Sequence, residues 1–361
     1  MGKTRITRSR AALAAAALAV VGALAATALA ASDNAYTVTG IVSDRSGLAV
    51  QDTHLVNGWG LASLAGSPWW VANNGNATAA LYRANGTSPR APVNVPGHPT
   101  GLVANASASF RISNGTTTAV APFIFATEEG KIFAWSPTVA ANDAQDTQVT
   151  NTAGAVYKGL AIASNANGDF LYATDFHNGH VDVFDGTFQP ANLPAAAFTD
   201  ASLPDGYAPF GIQNVGGGTI VVTFAKQDSD AADEVAGQGK GFVDAFDTSG
   251  NLLARIGEHG QLNAPWGIAM APADGFGRFS GNLLVGNFGD GEITAFAHEP
   301  DGSWEQNGQL RSGNKTLAID GLWALQFGHG NVANNGPATT LFFTAGPDDE
   351  RHGLFGTITA G

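Results

Sequence analysis

The sequence predicts an all-β, six-bladed β-propeller, and three observations carry that prediction. A short phrase built on an aromatic or polar residue, a glycine and an aliphatic residue recurs six times, at Trp59-Gly60-Leu61, Thr100-Gly101-Leu102, Lys158-Gly159-Leu160, Phe210-Gly211-Ile212, Trp266-Gly267-Ile268 and, less cleanly, Asp320-Gly321-Leu322. The steps between these glycines are 41, 58, 52, 56 and 54 residues, a period that belongs to repeat architectures rather than to separate domains. Composition agrees: 361 residues with 47 glycines and 44% apolar content describe a large core interrupted by many turns.

Each repeat has the same grammar of three visible strands and a weaker fourth, which is the pattern of a four-stranded antiparallel blade. The first reads as strands over residues 60–64, 69–72 and 79–83. The second carries an insertion near Phe110 to Thr118 before Phe123-Ile124-Phe125 and Ile132-Phe133-Ala134-Trp135. Repeats three and five have compact turns, at residues 175–179 and 287–291. Repeat four has a polar excursion over residues 226–240, with Asp228, Asp230, Asp233 and Glu234, which is expected to be exposed and mobile because it lacks a core face. Repeat six ends at Thr359 one strand short, while an orphan strand, Tyr36 to Val42, precedes repeat one. The N-terminal strand is therefore expected to close the last blade and cover its open edge.

Residues 1–30 read as a secretory signal peptide, with Lys3, Arg5, Arg8 and Arg10, an alanine-rich apolar run and the small-residue pattern Ala28-Leu29-Ala30. A single propeller domain over 31–361 then follows, expected to be secreted and monomeric, with no integral membrane segment once the leader is removed. Without the leader, thirteen basic residues face thirty acidic ones, about −17, which excludes nucleic acid as a partner class. The absence of cysteine excludes both a disulfide framework and a lipid-anchored cysteine.

The phrase Ala264-Pro265-Trp266-Gly267-Ile268-Ala269, followed by Leu283-Leu284-Val285-Gly286-Asn287 and Ile293-Thr294-Ala295-Phe296, resembles the NHL-type repeat, and the likeness extends over all six units. Taken whole, the chain is similar to a family of exported bacterial proteins of unassigned function built as NHL-like propellers. The resemblance implies the fold and is nearly silent on chemistry, because six-bladed relatives include calcium-dependent lactonases, peptide-amidating lyases and protein-binding scaffolds.

Candidate site residues follow from strand direction. The inner strand of each blade starts at the end of the channel where the second strand stops, so two columns of residues meet at that mouth. The residues before each repeated glycine are Trp59, Thr100, Lys158, Phe210, Trp266 and Asp320; those ending the second strands are Asn74, Glu128, Asp175, Ala225, Phe288 and Gly346. Trp59, His98, Lys158, Trp266 and Asp320 are the ligand-binding candidates, although large rings in such a column also serve as packing. Asn73, Asn74, Glu128 and Asp175 are the metal candidates, since hard cations such as Ca2+ take carboxylate and amide oxygens; the same residue types also favour turns. Lys158 is expected to pair with Glu128 or Asp175. No His-Glu-x-x-His, Gly-x-Ser-x-Gly or phosphate-loop motif is present. The expected function is a binding module that recognises an extracellular small molecule, glycan or protein through the mouth or the blade-four excursion; the alternative is a calcium-assisted hydrolase or lyase.

Overall fold

The computed structural model describes residues 34–361; the expected signal peptide lies outside them. Six small antiparallel sheets stand in a ring. Blade one consists of Gly58–Ala62, Trp69–Asn73, Thr78–Tyr82 and Val93–Asn94; blade two of Pro99–Ala104, Phe123–Thr127, Ile132–Trp135 and Gln145–Asp146. Blade three has Tyr157–Asn165, Gly168–Asp175 and His180–Asp185, with a lone bridge from Phe184 to Pro190 where a fourth strand would lie. Blades four (Tyr207–Gly216, Thr219–Lys226, Gly241–Asp247, Leu252–Glu258) and five (Pro265–Met270, Leu283–Asn287, Ile293–His298, Trp304–Gln309) are complete. The insertion in repeat two is a separate hairpin of Arg111–Ser113 and Thr118–Val120.

Blade six is closed as expected. Its strands Leu322–Phe327, Leu341–Ala345 and Leu354–Ala360 are joined by Tyr36–Ser43, which runs antiparallel to the last strand with Tyr36 opposite Ala360 and Ser43 opposite Leu354. The strand is also fastened sideways. The Tyr36 hydroxyl donates to Phe276 O at 3.0 Å and accepts from Phe279 N at 3.2 Å, so the closure reaches into blade five.

The repeated glycine is explained by crowding at the channel wall. A Cβ on Gly101 would lie 2.3 Å from Leu160 N, and one on Gly211 2.0 Å from Trp266 O, because the inner strand of the next blade runs against it. A threonine of the second strand uses the same proximity to latch blades together. Thr174 Oγ1 accepts from Gly159 N at 2.7 Å and donates to Phe210 O of blade four at 2.7 Å; Thr223 repeats this between Gly211 N and Pro265 O of blade five. Thr344 does so at the closure, accepting from Ala324 N at 3.1 Å and donating to Trp59 O of blade one at 2.5 Å.

That last latch corrects the alignment of repeat six. Ala324, not Gly321, holds the ring position, and Gly321 is a turn glycine with φ +65° pressed against Gly346. Trp323 therefore replaces Asp320 in the column at the mouth. The sequence pattern slipped by three residues because alanine stands where the other five blades use glycine.

Two layers fill the channel. Towards the mouth the rings of Trp59 and Trp323 stack at 3.7 Å, Phe288 stacks on Trp323 at 4.1 Å, and Trp266 meets both tryptophans edge-on at 6.1 and 5.6 Å. Below them, Leu61, Leu102, Leu160, Ile212, Ile268 and Leu325, one from each blade and each following the ring position, surround a void of only ≈ 30 Å³. Ring stacking of this kind adds roughly 0.5–1.5 kcal/mol per pair beyond the apolar area removed from water. The channel is thus plugged, with a separate pocket at each end.

Candidate functional site: an acidic mouth over a buried lysine

Lys158 is the pivot of the mouth. It follows Tyr157 on the inner strand of blade three, and the strand direction sends it towards the channel, where its side chain is 1% exposed. A buried ammonium needs anionic and hydrogen-bonding partners. It has them: Nζ donates to Glu128 Oε1 at 2.5 Å and to Asp233 Oδ1 at 3.0 Å, and lies 5.3 Å from the centre of the Trp59 ring. Burial pulls its pKa down, but Glu128 and then Asp233 outweigh this and hold it above the ordinary lysine value. Glu128 is positioned from its other side by Asn74, whose Nδ2 donates to Oε2 at 2.9 Å; Asn57 Nδ2 donates to Asn74 Oδ1 at 3.3 Å, and Trp323 Nε1 to Asn57 Oδ1 at 3.1 Å.

Four further carboxyl groups, those of Asp233, Glu234, Asp349 and Glu350, arrive from loops. Asp233 and Glu234 sit on the blade-four excursion, which is tied across the mouth rather than free. Gln227 Nε2 donates to Phe176 O at 2.6 Å, Val235 N to Lys226 O at 2.7 Å and Gly237 N to Asn263 Oδ1 at 2.6 Å, so the excursion bridges blades three and five. Within the excursion, expected to be exposed and mobile, Ser229, Asp230, Asp233, Ala236 and Gln238 are exposed, while these ties and the ion pair of Asp233 with Lys158 fix its course across the mouth. Glu350 comes from the turn that follows the second strand of blade six. Asp348, Asp349 and Glu350 have φ of 62°, 52° and 62°, three consecutive left-handed residues without a glycine. Such a conformation costs roughly 1 kcal/mol or more per residue.

Together Trp59, Asn74, Glu128, Asp233, Glu234, Phe288, Asp349 and Glu350 line a pocket of ≈ 480 Å³. Burial pushes Glu234 up to about 8, against the pull of Lys158, and burial followed by repulsion from Glu128 pushes Glu350 up to about 7. Among the described residues neither makes an ion pair of its own. The indole N–H of Trp59, in the wall of the pocket, is buried and has no hydrogen-bond partner among the described residues.

No protein-family model matches the chain. It is 31% identical over 337 residues to one uncharacterised protein of Acanthamoeba polyphaga mimivirus, spanning 88% of this chain and 78% of that protein, and 30% identical over 346 residues to a second, spanning 90% and 85%. The chain belongs to their family. Among solved structures it superposes on the apo form of the soluble aldose sugar dehydrogenase of Escherichia coli with TM-score 0.53 at 12% identity, over 90% of this chain and 100% of that one. With virginiamycin B lyase of Staphylococcus aureus the TM-score is 0.51 at 12% identity, over 90% and 99%. Likeness at such identity speaks for the propeller fold alone.

The residues singled out from sequence divide within this frame. Trp59, Asn74 and Glu128 meet at the mouth, with Lys158 beneath them. Trp266 lies in the plug, its indole N–H given to Lys158 O at 3.1 Å. Asn73 turns into its own blade and donates to Thr78 Oγ1 at 3.0 Å. His98 is exposed beside Glu129, 2.6 Å from its Oε1, and Asp320 is exposed, accepting from Asp348 N at 2.8 Å and so bracing the left-handed turn. Asp175 is fully buried and held by its own turn, accepting from Val156 N, Asn178 N and Asn178 Nδ2 at 2.8–3.2 Å. Its nearest charged company is His180 and Asp182, with ligand atoms all within 4.8 Å of one another. There His180 Nε2 sits 3.0 Å from Asp182 Oδ1, a hydrogen bond that raises the histidine pKa. The structure thus joins Asn74 to Glu128 and assigns Asn73 and Asp175 to other partners. Strand register does not lead to Glu234 and Glu350 at the mouth, because loop path leaves no periodic trace; Glu234 enters from sequence only as part of the blade-four excursion. The signal that was available was acidity itself, two clusters of carboxylates in the blade-four and blade-six turns.

Proposed function

We propose that the protein is an exported, monomeric binding module that holds a small, positively charged organic molecule in the mouth of its channel. The observation that carries this reading is the charge imbalance of the pocket: five carboxyl groups surround one lysine, and that lysine is already taken by Glu128 and Asp233. Glu234 and Glu350 are left to face the cavity above the Trp59 and Phe288 rings, and an amine or alkylammonium group answers both the acids and the aromatic faces. Export is supported by the basic and alanine-rich leader ending in Ala28-Leu29-Ala30. Calorimetric titration with 1,4-diaminobutane and with tetramethylammonium should show one site, with tighter binding at pH 8.5 than at pH 6 as the two acids ionise. Glu234→Gln with Glu350→Gln should weaken it about tenfold or more. Equal affinity in the double variant, or no heat with either amine, overturns the reading.

A second reading is favoured by a different observation. Carboxyl groups titrating near neutrality are suited to general acid–base work, which supports a hydrolase or lyase at the same mouth, with Ca2+ as its ion. Calcium would have to draw on Glu128, Asn74, Glu234 and Glu350. It should then raise the melting temperature of the wild type and not of the double variant; absence of any calcium response removes this reading while leaving the amine titration to judge the first.

A further inference from the structure

The opposite end of the channel holds a pocket of ≈ 370 Å³, beyond the aliphatic ring and walled by the ends of the inner strands and the segments that follow them. Its lining includes no aspartate, glutamate, lysine or arginine; apart from His329, exposed at the rim, its polar groups are Ser63, Gln213, Asn214 and Gln326. Asn214 is spoken for, its Nδ2 donating to Ile162 O at 3.0 Å and its Oδ1 accepting from Gly216 N at 3.0 Å. Two others are not. Among the described residues, the buried hydroxyl of Ser63, 4% exposed, has no hydrogen-bond partner, and neither has the buried Oε1 of Gln326.

A buried polar atom left without a partner costs about 1–3 kcal/mol, and native proteins keep few of them. Here two belong to side chains in the wall of one cavity large enough for a small molecule. Leu61, Leu64, Leu102 and Ile162 supply the apolar surface beside neutral polar side chains, a mixture that suits a neutral ligand. The lack of any charged lining residue sets the class, because a charged ligand would be desolvated there without compensation.

We propose that this pocket is a second ligand site, separate from the mouth, for an uncharged, mainly apolar small molecule whose hydroxyl, amide or ketone group engages Ser63 Oγ and whose N–H or O–H donates to Gln326 Oε1. The inference stands without the reading of the mouth. The plug of tryptophans and the aliphatic ring separate the two cavities, so each has its own variants and its own probes.

The test uses N-phenyl-naphthylamine, a neutral fluorophore with one N–H donor whose emission rises in apolar surroundings. Titration of the described protein should give a saturable rise at one site per chain. Ala106→Trp, at an exposed position on the rim and therefore safe for folding, and Ser63→Phe, which fills the cavity, should each weaken binding about tenfold or more with an unchanged circular dichroism spectrum. Gln326→Leu keeps the shape, removes the acceptor and should weaken it roughly two- to tenfold, the worth of one hydrogen bond. Glu234→Gln at the mouth should leave the titration as in the wild type. No saturable rise in the wild type, a titration unaltered by Ala106→Trp, or one lost in Glu234→Gln overturns the proposal.

Discussion

The two ends of the channel are built from the same six strands and could hardly be less alike. At the mouth, side chains borrowed from loops of blades four and six bring carboxyl groups over a buried ammonium, and order there is kept by ion pairs and hydrogen bonds. At the far end the lining is aliphatic with a few neutral polar groups, and order is kept by packing. Strand direction explains the difference. Turns between second and third strands, long and acidic in blades four and six, open at the mouth. Symmetry of the repeat governs the plug between the ends and stops mattering once the chain leaves the strands.

Cutting the charge pivot should separate the two ends most sharply. Lys158→Met is expected to cost about 3 kcal/mol in urea unfolding, at the low end for breaking a buried pair because Asp233 is largely exposed; a cost below 1 kcal/mol would show that the mouth, too, is held by packing. In the aliphatic ring, Leu325→Ala should cost about 2–3 kcal/mol, the lower part of the usual range because the void beside it lets neighbours relax.

The mouth should contribute a distinct part of the pH response. Glu234 and Glu350 have native pKa values near 8 and 7, above the ordinary glutamate value, so between about pH 5 and 8 the native state holds protons that the unfolded chain has released. Stability therefore falls as pH rises through that window. The melting temperature should drop by a few degrees from pH 5.5 to 8.5, and part of that drop should vanish in Glu234→Gln with Glu350→Gln. A full slope in the double variant would assign the protons elsewhere. The smallest effect belongs to the far end: Ser63→Ala removes an unpartnered hydroxyl and should be neutral or stabilising by up to about 1 kcal/mol without ligand, measured by the same unfolding curves.

What could be read from sequence follows the same divide. Blade count, the closure by Tyr36–Ser43 and the pairing of Lys158 with one of Glu128 and Asp175, which the structure gives to Glu128, are consequences of period and strand direction, which residues 60, 101, 159, 211 and 267 display openly. Repeat six was misaligned because a small residue other than glycine also satisfies the crowding at Ala324. Asp175 occupies the place expected of it along the chain, yet its carboxylate is drawn into its own turn by Asn178, a local choice that column logic does not contain. Glu234 and Glu350 depend on where two loops fold back, which tertiary contacts decide.

The turn at Asp348, Asp349 and Glu350 has a consequence that concerns handedness. Three residues in succession with φ between 52° and 62° trace a short piece of mirror-image helix, a path that a D-amino acid follows without strain. Chemical ligation of a C-terminal segment carrying D-aspartate at 349 should therefore give a more stable protein than the all-L chain, whereas the same inversion in a flanking strand should unfold it. Of the three residues, glutamate is the least suited to that backbone by nature, so its presence at 350 points to the carboxyl group, and not the turn, as the reason it stands there.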